Sequence, residues 1–160
     1  MTARKKTTRS ATDAGLRALR AFGLAYPKAH TKSPWPGHLD LAVNDKTFAY
    51  LSLEGEPFSI SCKLPHSGGK ALMLPHAEPT PYGLGKSGWV TVRFPEGKPL
   101  PLDILKAWVD ESYRAQAPKR LVATLGSRPG DVPDDAAPSK PAARTAAPVK
   151  KHPTARRRTR

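Results

Sequence analysis

The chain has 160 residues, 38% of them hydrophobic, and a formal net charge of +14 at pH 7. That length suits one domain, and the charge favours a polyanionic partner, either nucleic acid or an anionic membrane surface. A single cysteine, Cys62, excludes an internal disulfide framework and a zinc finger or ribbon.

The charge is unevenly placed. Residues 1–10 carry four basic and no acidic side chains, and residues 128–160 carry nine basic and three acidic ones. The stretch between holds 14 basic and 10 acidic residues and is only mildly cationic. Beyond Met1, residues 1–11 carry no large apolar side chain and are expected to form a disordered basic arm. Ser10 or Thr12 can cap a helix running to about Ala25, with Asp13 in its first turn near the positive end of the dipole. Leu16, Leu19 and Phe22 form its buried stripe, Arg17 and Arg20 point outward, and Tyr26-Pro27 ends it.

Residues 27–38 read as a polar, proline-punctuated connection. Leu39, Leu41 and Val43 alternate as a strand, Asn44-Asp45-Lys46 forms a short hairpin loop, and Thr47–Leu53 returns. Glu54-Gly55-Glu56-Pro57 turns again, and Phe58, Ile60, Cys62 and Leu64 line one face of a third strand, completing an antiparallel meander. Lys70–Leu74 is long enough for one helical turn, and residues 75–81 read as a loop. In the glycine-punctuated segment Tyr82–Phe94, Val90, Val92 and Phe94 take one side of a strand and Trp89, Thr91 and Arg93 the other. A second helix begins near Pro101, buries Leu102, Leu105, Trp108 and Val109, and places Arg114 near its C-terminus. Lys119–Leu125 is a short amphipathic ending. Residues 126–160 are rich in Ala, Pro, Lys and Arg and are expected to be a disordered polycation.

No arrangement nominates a reaction. The five histidines, His30, His38, His66, His76 and His152, lack metal-ligand spacing. Asp110 and Glu111 are adjacent on a helix and do not face each other, while Glu54 and Glu56 flank a turn glycine. Ser67 beside His66 lacks the geometry of a nucleophile and its base, and Cys62 reads as a small buried hydrophobe. Gly85-Lys86-Ser87 imitates a phosphate loop, but Thr80 stands where the first glycine belongs and a strand follows instead of a helix. The turn can still hold one phosphate with Lys86 as a point charge. Trp35, Trp89 and Trp108 read as packing residues. No catalytic residue, metal or cofactor is expected.

No apolar run approaches the roughly 18 residues that span a bilayer, and no secretory signal is read at the N-terminus. The expectation is a soluble cytoplasmic monomer without a membrane role. The cations available to a nucleic acid are Lys63, Lys86, Arg93, Lys98, Arg114, Lys119 and Arg120 in the folded part and Arg156, Arg157 and Arg158 near the end.

The segment Pro81-Tyr82-Gly83-Leu84-Gly85-Lys86-Ser87-Gly88-Trp89-Val90-Thr91-Val92 precedes a helix ending Glu111-Ser112-Tyr113-Arg114, with Pro118-Lys119-Arg120 close behind. Together with Asn44-Asp45-Lys46-Thr47-Phe48-Ala49, this combination resembles the MmcQ/YjbR-like family over residues 12–125. The resemblance implies an α+β domain of frataxin-like arrangement, a two-layer antiparallel sheet with the N- and C-terminal helices packed on one face. It also implies DNA binding through hairpin wings, and brings no catalytic residue or cofactor. The alternative is a protein- or small-ligand-binding module whose tails solubilise or localise it.

Overall fold

The computed structural model describes residues 3–126, with side chains described from Arg9 onward. Four helices accompany six strands: α1 (Ala3–Leu24), β1 (Ala29–Lys32), β2 (Asp40–Val43), β3 (Lys46–Leu51), β4 (Ser59–Lys63), α2 (Gly68–Ala71), β5 (Ala77–Pro79), β6 (Trp89–Arg93), α3 (Leu102–Gln116) and α4 (Lys119–Ala123). A 3-10 turn, Leu84–Ser87, lies between β5 and β6. The strands form one antiparallel sheet in the order β1-β2-β3-β4-β6-β5.

The core lies between one face of this sheet and helices α1 and α3. Leu16 and Leu19 from α1 and Leu105, Val109 and Tyr113 from α3 meet Leu41, Val43, Phe48, Ile60, Cys62, Val90 and Val92. Full burial of each large aliphatic side chain contributes about 1.5–3 kcal/mol. Gly23 is where α1 comes nearest to β2: a Cβ there would lie 2.3 Å from Leu41 Cδ1. The opposite sheet face carries Trp89 against Tyr50, with ring centroids 5.3 Å apart, and a Ser61–Thr91–Thr80 hydroxyl chain with 2.7 Å and 3.0 Å links.

The central meander, β6 and α3 match the periodicity of the sequence, and four local differences have physical causes. Helix α1 starts at Ala3 and overtakes most of the expected disordered arm; Ala, Arg and Lys in this segment are good helix formers that need no apolar stripe. Strands β1 and β5 occupy stretches expected to be loops. As sheet edges they have one neighbour each and so need little apolar patterning, and β5 tolerates Pro79 at its end. The register of β2 against β3 shifts between Leu41 and Ala42, and consecutive residues Phe48 and Ala49 are both buried, interrupting the expected alternation. Trp35, expected to pack, is 66% exposed, because the Pro34-Trp35-Pro36 corner projects from the β1–β2 connection. Trp89 and Trp108 are buried as expected.

Candidate nucleic-acid interface

Strand register decides which cations share a surface. Ala49 pairs with Cys62 and Cys62 with Val90, all antiparallel, so the start of β3, the end of β4 and the start of β6 lie at the same end of the sheet. Val43 pairs with Lys46, which puts the β2–β3 hairpin tip there too, with Asn44 in the left-handed region at φ +50°. Helix α3 arrives at this end with its C-terminal turns. Ser112 Oγ accepts the Lys63 N–H at 2.8 Å and donates to the Phe48 carbonyl, and Gln116 Nε2 donates to the Thr47 carbonyl at 3.0 Å.

Five of the seven folded candidates therefore converge. Lys63 ends β4, Lys86 sits in the 3-10 turn before β6, Arg114 lies in the last turn of α3, and Lys119 and Arg120 open α4. Arg93 and Lys98 are elsewhere: Arg93 closes β6 at the other end and is ion-paired with Glu78, and Lys98 lies in the following turn. Arg114 is also engaged, through Nε to Asp110 Oδ2 at 3.0 Å and through its guanidinium to the Gly126 carbonyl. Among the described residues, Lys63, Lys86, Lys98, Lys119 and Arg120 make no ion pair. Arg156, Arg157 and Arg158 lie outside the described residues.

The same end gathers cations that sequence reasoning did not nominate. Lys46 is at the hairpin tip, Lys28 precedes β1 beside it, and Lys32 Nζ donates to the Asp45 carbonyl at 3.1 Å. Their signal in the sequence was only charge; their grouping depends on strand order. The acidic side chains here are largely occupied. Asp110 accepts from Tyr26 at 2.6 Å and from Arg114, and Glu111 is buried inside a hydrogen-bond set; Asp45 alone of the three is exposed. At the opposite end cations and carboxylates neutralise each other: Arg9 with Glu96 at 3.4 Å, and Arg17 and Arg20 with Glu54 at 3.8 Å and 3.6 Å.

The frame behind the cationic end is built by four consecutive residues of α3. Glu111 Oε1 accepts the N–H groups of His66 and Ser67 at 2.8 Å and 2.9 Å, and Oε2 accepts the Ser67 hydroxyl at 2.6 Å. Ser112 ties β3 to β4, as described. Tyr113 donates its hydroxyl to the Pro27 carbonyl at 2.7 Å and stacks on Tyr26, and Arg114 pairs with Asp110. Glu-Ser-Tyr-Arg is thus an anchor for four separate segments.

Several reactive groups are engaged in the frame or buried in the core. The Ser67 hydroxyl is bonded to Glu111 and the His66 backbone to the same carboxylate. Complete burial, reinforced by the charge of Glu111, pushes the Cys62 thiol far above its ordinary range. Burial likewise raises the Tyr113 phenol. Asp40, only 1% exposed, accepts the Leu51 N–H at 2.9 Å through Oδ1, while Oδ2 has no hydrogen-bond partner. Desolvation raises its pKa, opposed by the Leu51 hydrogen bond and by the nearby His38 and Arg20. Among the described residues no cluster of three or more His, Cys, Asp or Glu side chains is placed to hold a metal ion. Nor does any described helix have the length and apolarity to cross a membrane.

The family model described as YjbR matches residues 24–115, from the end of α1 nearly to the end of α3. The chain belongs to the YjbR family. The matched region contains the hairpin, the 3-10 turn and the Glu111–Arg114 anchor, and it ends before Lys119 and Arg120. The fold is similar to that of a solved Deinococcus radiodurans protein assigned to the domain family DUF419. The two are 22% identical, with 72% of this chain and 93% of that one covered at a TM-score of 0.55. A solved Pseudomonas syringae protein is 19% identical, with 63% of this chain and 97% of that one covered at a TM-score of 0.48. No curated protein matches the chain.

Proposed function

We propose that this YjbR-family protein is a non-enzymatic DNA-binding protein. The phosphate backbone is held at the cationic end of the sheet, with the β2–β3 hairpin tip and the 3-10 turn as its two projections. The supporting observation is the convergence of Lys63, Lys86, Lys119 and Arg120 where Asp110 and Glu111 are already occupied, against an opposite end where ion pairs cancel charge. Ammonium groups on rigid turns suit phosphate positioning, which fixes orientation without reading sequence. The basic stretches outside the described residues add affinity through counterion release.

The test is retention of duplex and single-stranded DNA by the full-length protein on a filter across a salt series. Affinity falls steeply and log-linearly with salt if the reading is right, and failure to hold either duplex or single-stranded DNA at low salt ends it. A protein-binding module is the second reading, favoured by the exposed Trp35 and Leu39 beside the β1–β2 connection. A small-ligand pocket beneath the Ser67–Met73 segment is not favoured. Gly68 Cα packs toward Leu64 and Val90, where a Cβ would already be in contact at 3.7 Å.

A further inference from the structure

We propose that Tyr82 stacks on a nucleobase, and that the cationic end therefore prefers single strands, whose base faces are accessible, over intact duplex. This rests on the nucleic-acid reading above and goes beyond its phosphate contacts. The Tyr82 side chain is 98% exposed, so its ring contributes almost nothing to the core. Its backbone sits at φ +59°, a region that bulky L-residues rarely occupy. The turn that imposes this is well tied. Thr80 donates its N–H to the Trp89 carbonyl at 3.0 Å, and Gly85 donates to the Thr80 carbonyl at 2.8 Å. Thr80 and Trp89 are themselves buried, so the ring projects from a fixed base.

Lys86 lies in the same turn, and Lys63 is the register partner of Trp89 at its foot. An aromatic face held out beside ammonium groups is the pairing that single-strand binding uses: cations follow the backbone while the ring takes a base. Duplex DNA hides its base faces in the stack, so a ring presented this way meets a base only where pairing is absent or opened. The two aromatic rings of this segment have opposite surroundings, Trp89 being buried and Tyr82 exposed. Trp89 is an anchor beneath the turn, and Tyr82 is the residue at its tip.

The experiment measures binding of the full-length protein to a 20-nucleotide thymine strand and to a duplex of equal length, each across a salt series. Wild type is compared with Tyr82→Ala, Tyr82→Phe and Lys86→Gln. Wild type should favour the single strand, and Tyr82→Ala should weaken single-strand binding by about 5- to 100-fold with an unchanged salt slope. Tyr82→Phe should retain the affinity, and Lys86→Gln should lower the single-strand salt slope by about 0.7. If wild type binds but Tyr82→Ala stays within twofold on the single strand, stacking is wrong and the phosphate reading stands. Equal losses on both substrates refute the single-strand preference. If wild type holds neither substrate, both readings fall and a protein partner takes their place.

Discussion

Removing the Glu111 carboxylate should damage the domain more than any exposed charge would. Glu111 is buried and accepts three hydrogen bonds, from the His66 and Ser67 N–H groups and the Ser67 hydroxyl. Glu111→Ala leaves three donors in the β4–α2 connection without their acceptor. Each stranded, partly buried donor costs about 1–3 kcal/mol, and water reaching the exposed side of the loop brings the total to roughly 3–5 kcal/mol. Against a domain stability of about 5–15 kcal/mol this is a large fraction, and it corresponds to a fall in Tm on the order of 10–20 °C. Glu111→Gln keeps a carbonyl oxygen for the two N–H groups and should cost about 1–2 kcal/mol, and Ser67→Ala about 1 kcal/mol. Chemical denaturation of the three variants and the Glu111–Ser67 double-mutant cycle measure these values. A loss below about 1 kcal/mol for Glu111→Ala would refute the assignment of this carboxylate as the anchor of the connection.

Two further substitutions test the packing and the buried charge. In Gly23→Ala the new Cβ meets the fully buried Leu41 at 2.3 Å. An overpacking cost of about 1–3 kcal/mol should therefore outweigh the roughly 1 kcal/mol that alanine brings to a helix; a more stable variant in urea denaturation would contradict the close approach of α1 to β2. Asp40 titrates above its ordinary 3.8 in the folded state, chiefly through desolvation, so the folded protein binds this proton more tightly than the unfolded chain. Ionised Asp40 then costs stability above its folded pKa, and that cost vanishes once the pH falls below the unfolded value. Asp40→Asn keeps an acceptor for the Leu51 N–H and should be more stable than wild type near neutrality, with the gap closing on acidification. A gap that widens toward acid would contradict this sign.

The legible parts of the sequence were those where burial imposes a period. Leu41 and Val43, Ile60 and Cys62, and Val90 and Val92 alternate because they face the helices, and Leu105, Trp108 and Val109 recur because α3 faces back. Strands β1 and β5 were illegible for the complementary reason: Ala29–Lys32 and Ala77–Pro79 are largely exposed edges whose residues carry no pattern. The Glu111 anchor was hidden because its partners lie 44 and 45 residues away, and local spacing offers only an adjacent Asp110. Individual cations were visible, but their grouping was not. Lys63, Lys86 and Lys119 are distant in the chain, and Lys98 is nearer to Lys86 in sequence yet lies at the other end of β6. Tyr82 was visible only as part of a family-like turn, since exposure of a side chain leaves no mark on periodicity.

The cationic end is tested most directly by two charge reversals of equal size in the full-length protein, Lys86→Glu in the 3-10 turn and Lys98→Glu beyond β6. Both side chains are exposed and unpaired among the described residues, so stability should hardly change in either. DNA affinity measured at one moderate salt concentration should fall about tenfold or more for Lys86→Glu, with a shallower salt dependence, and only slightly for Lys98→Glu. Equal losses in the two variants would show that net charge alone governs binding and would contradict an interface at this end of the sheet.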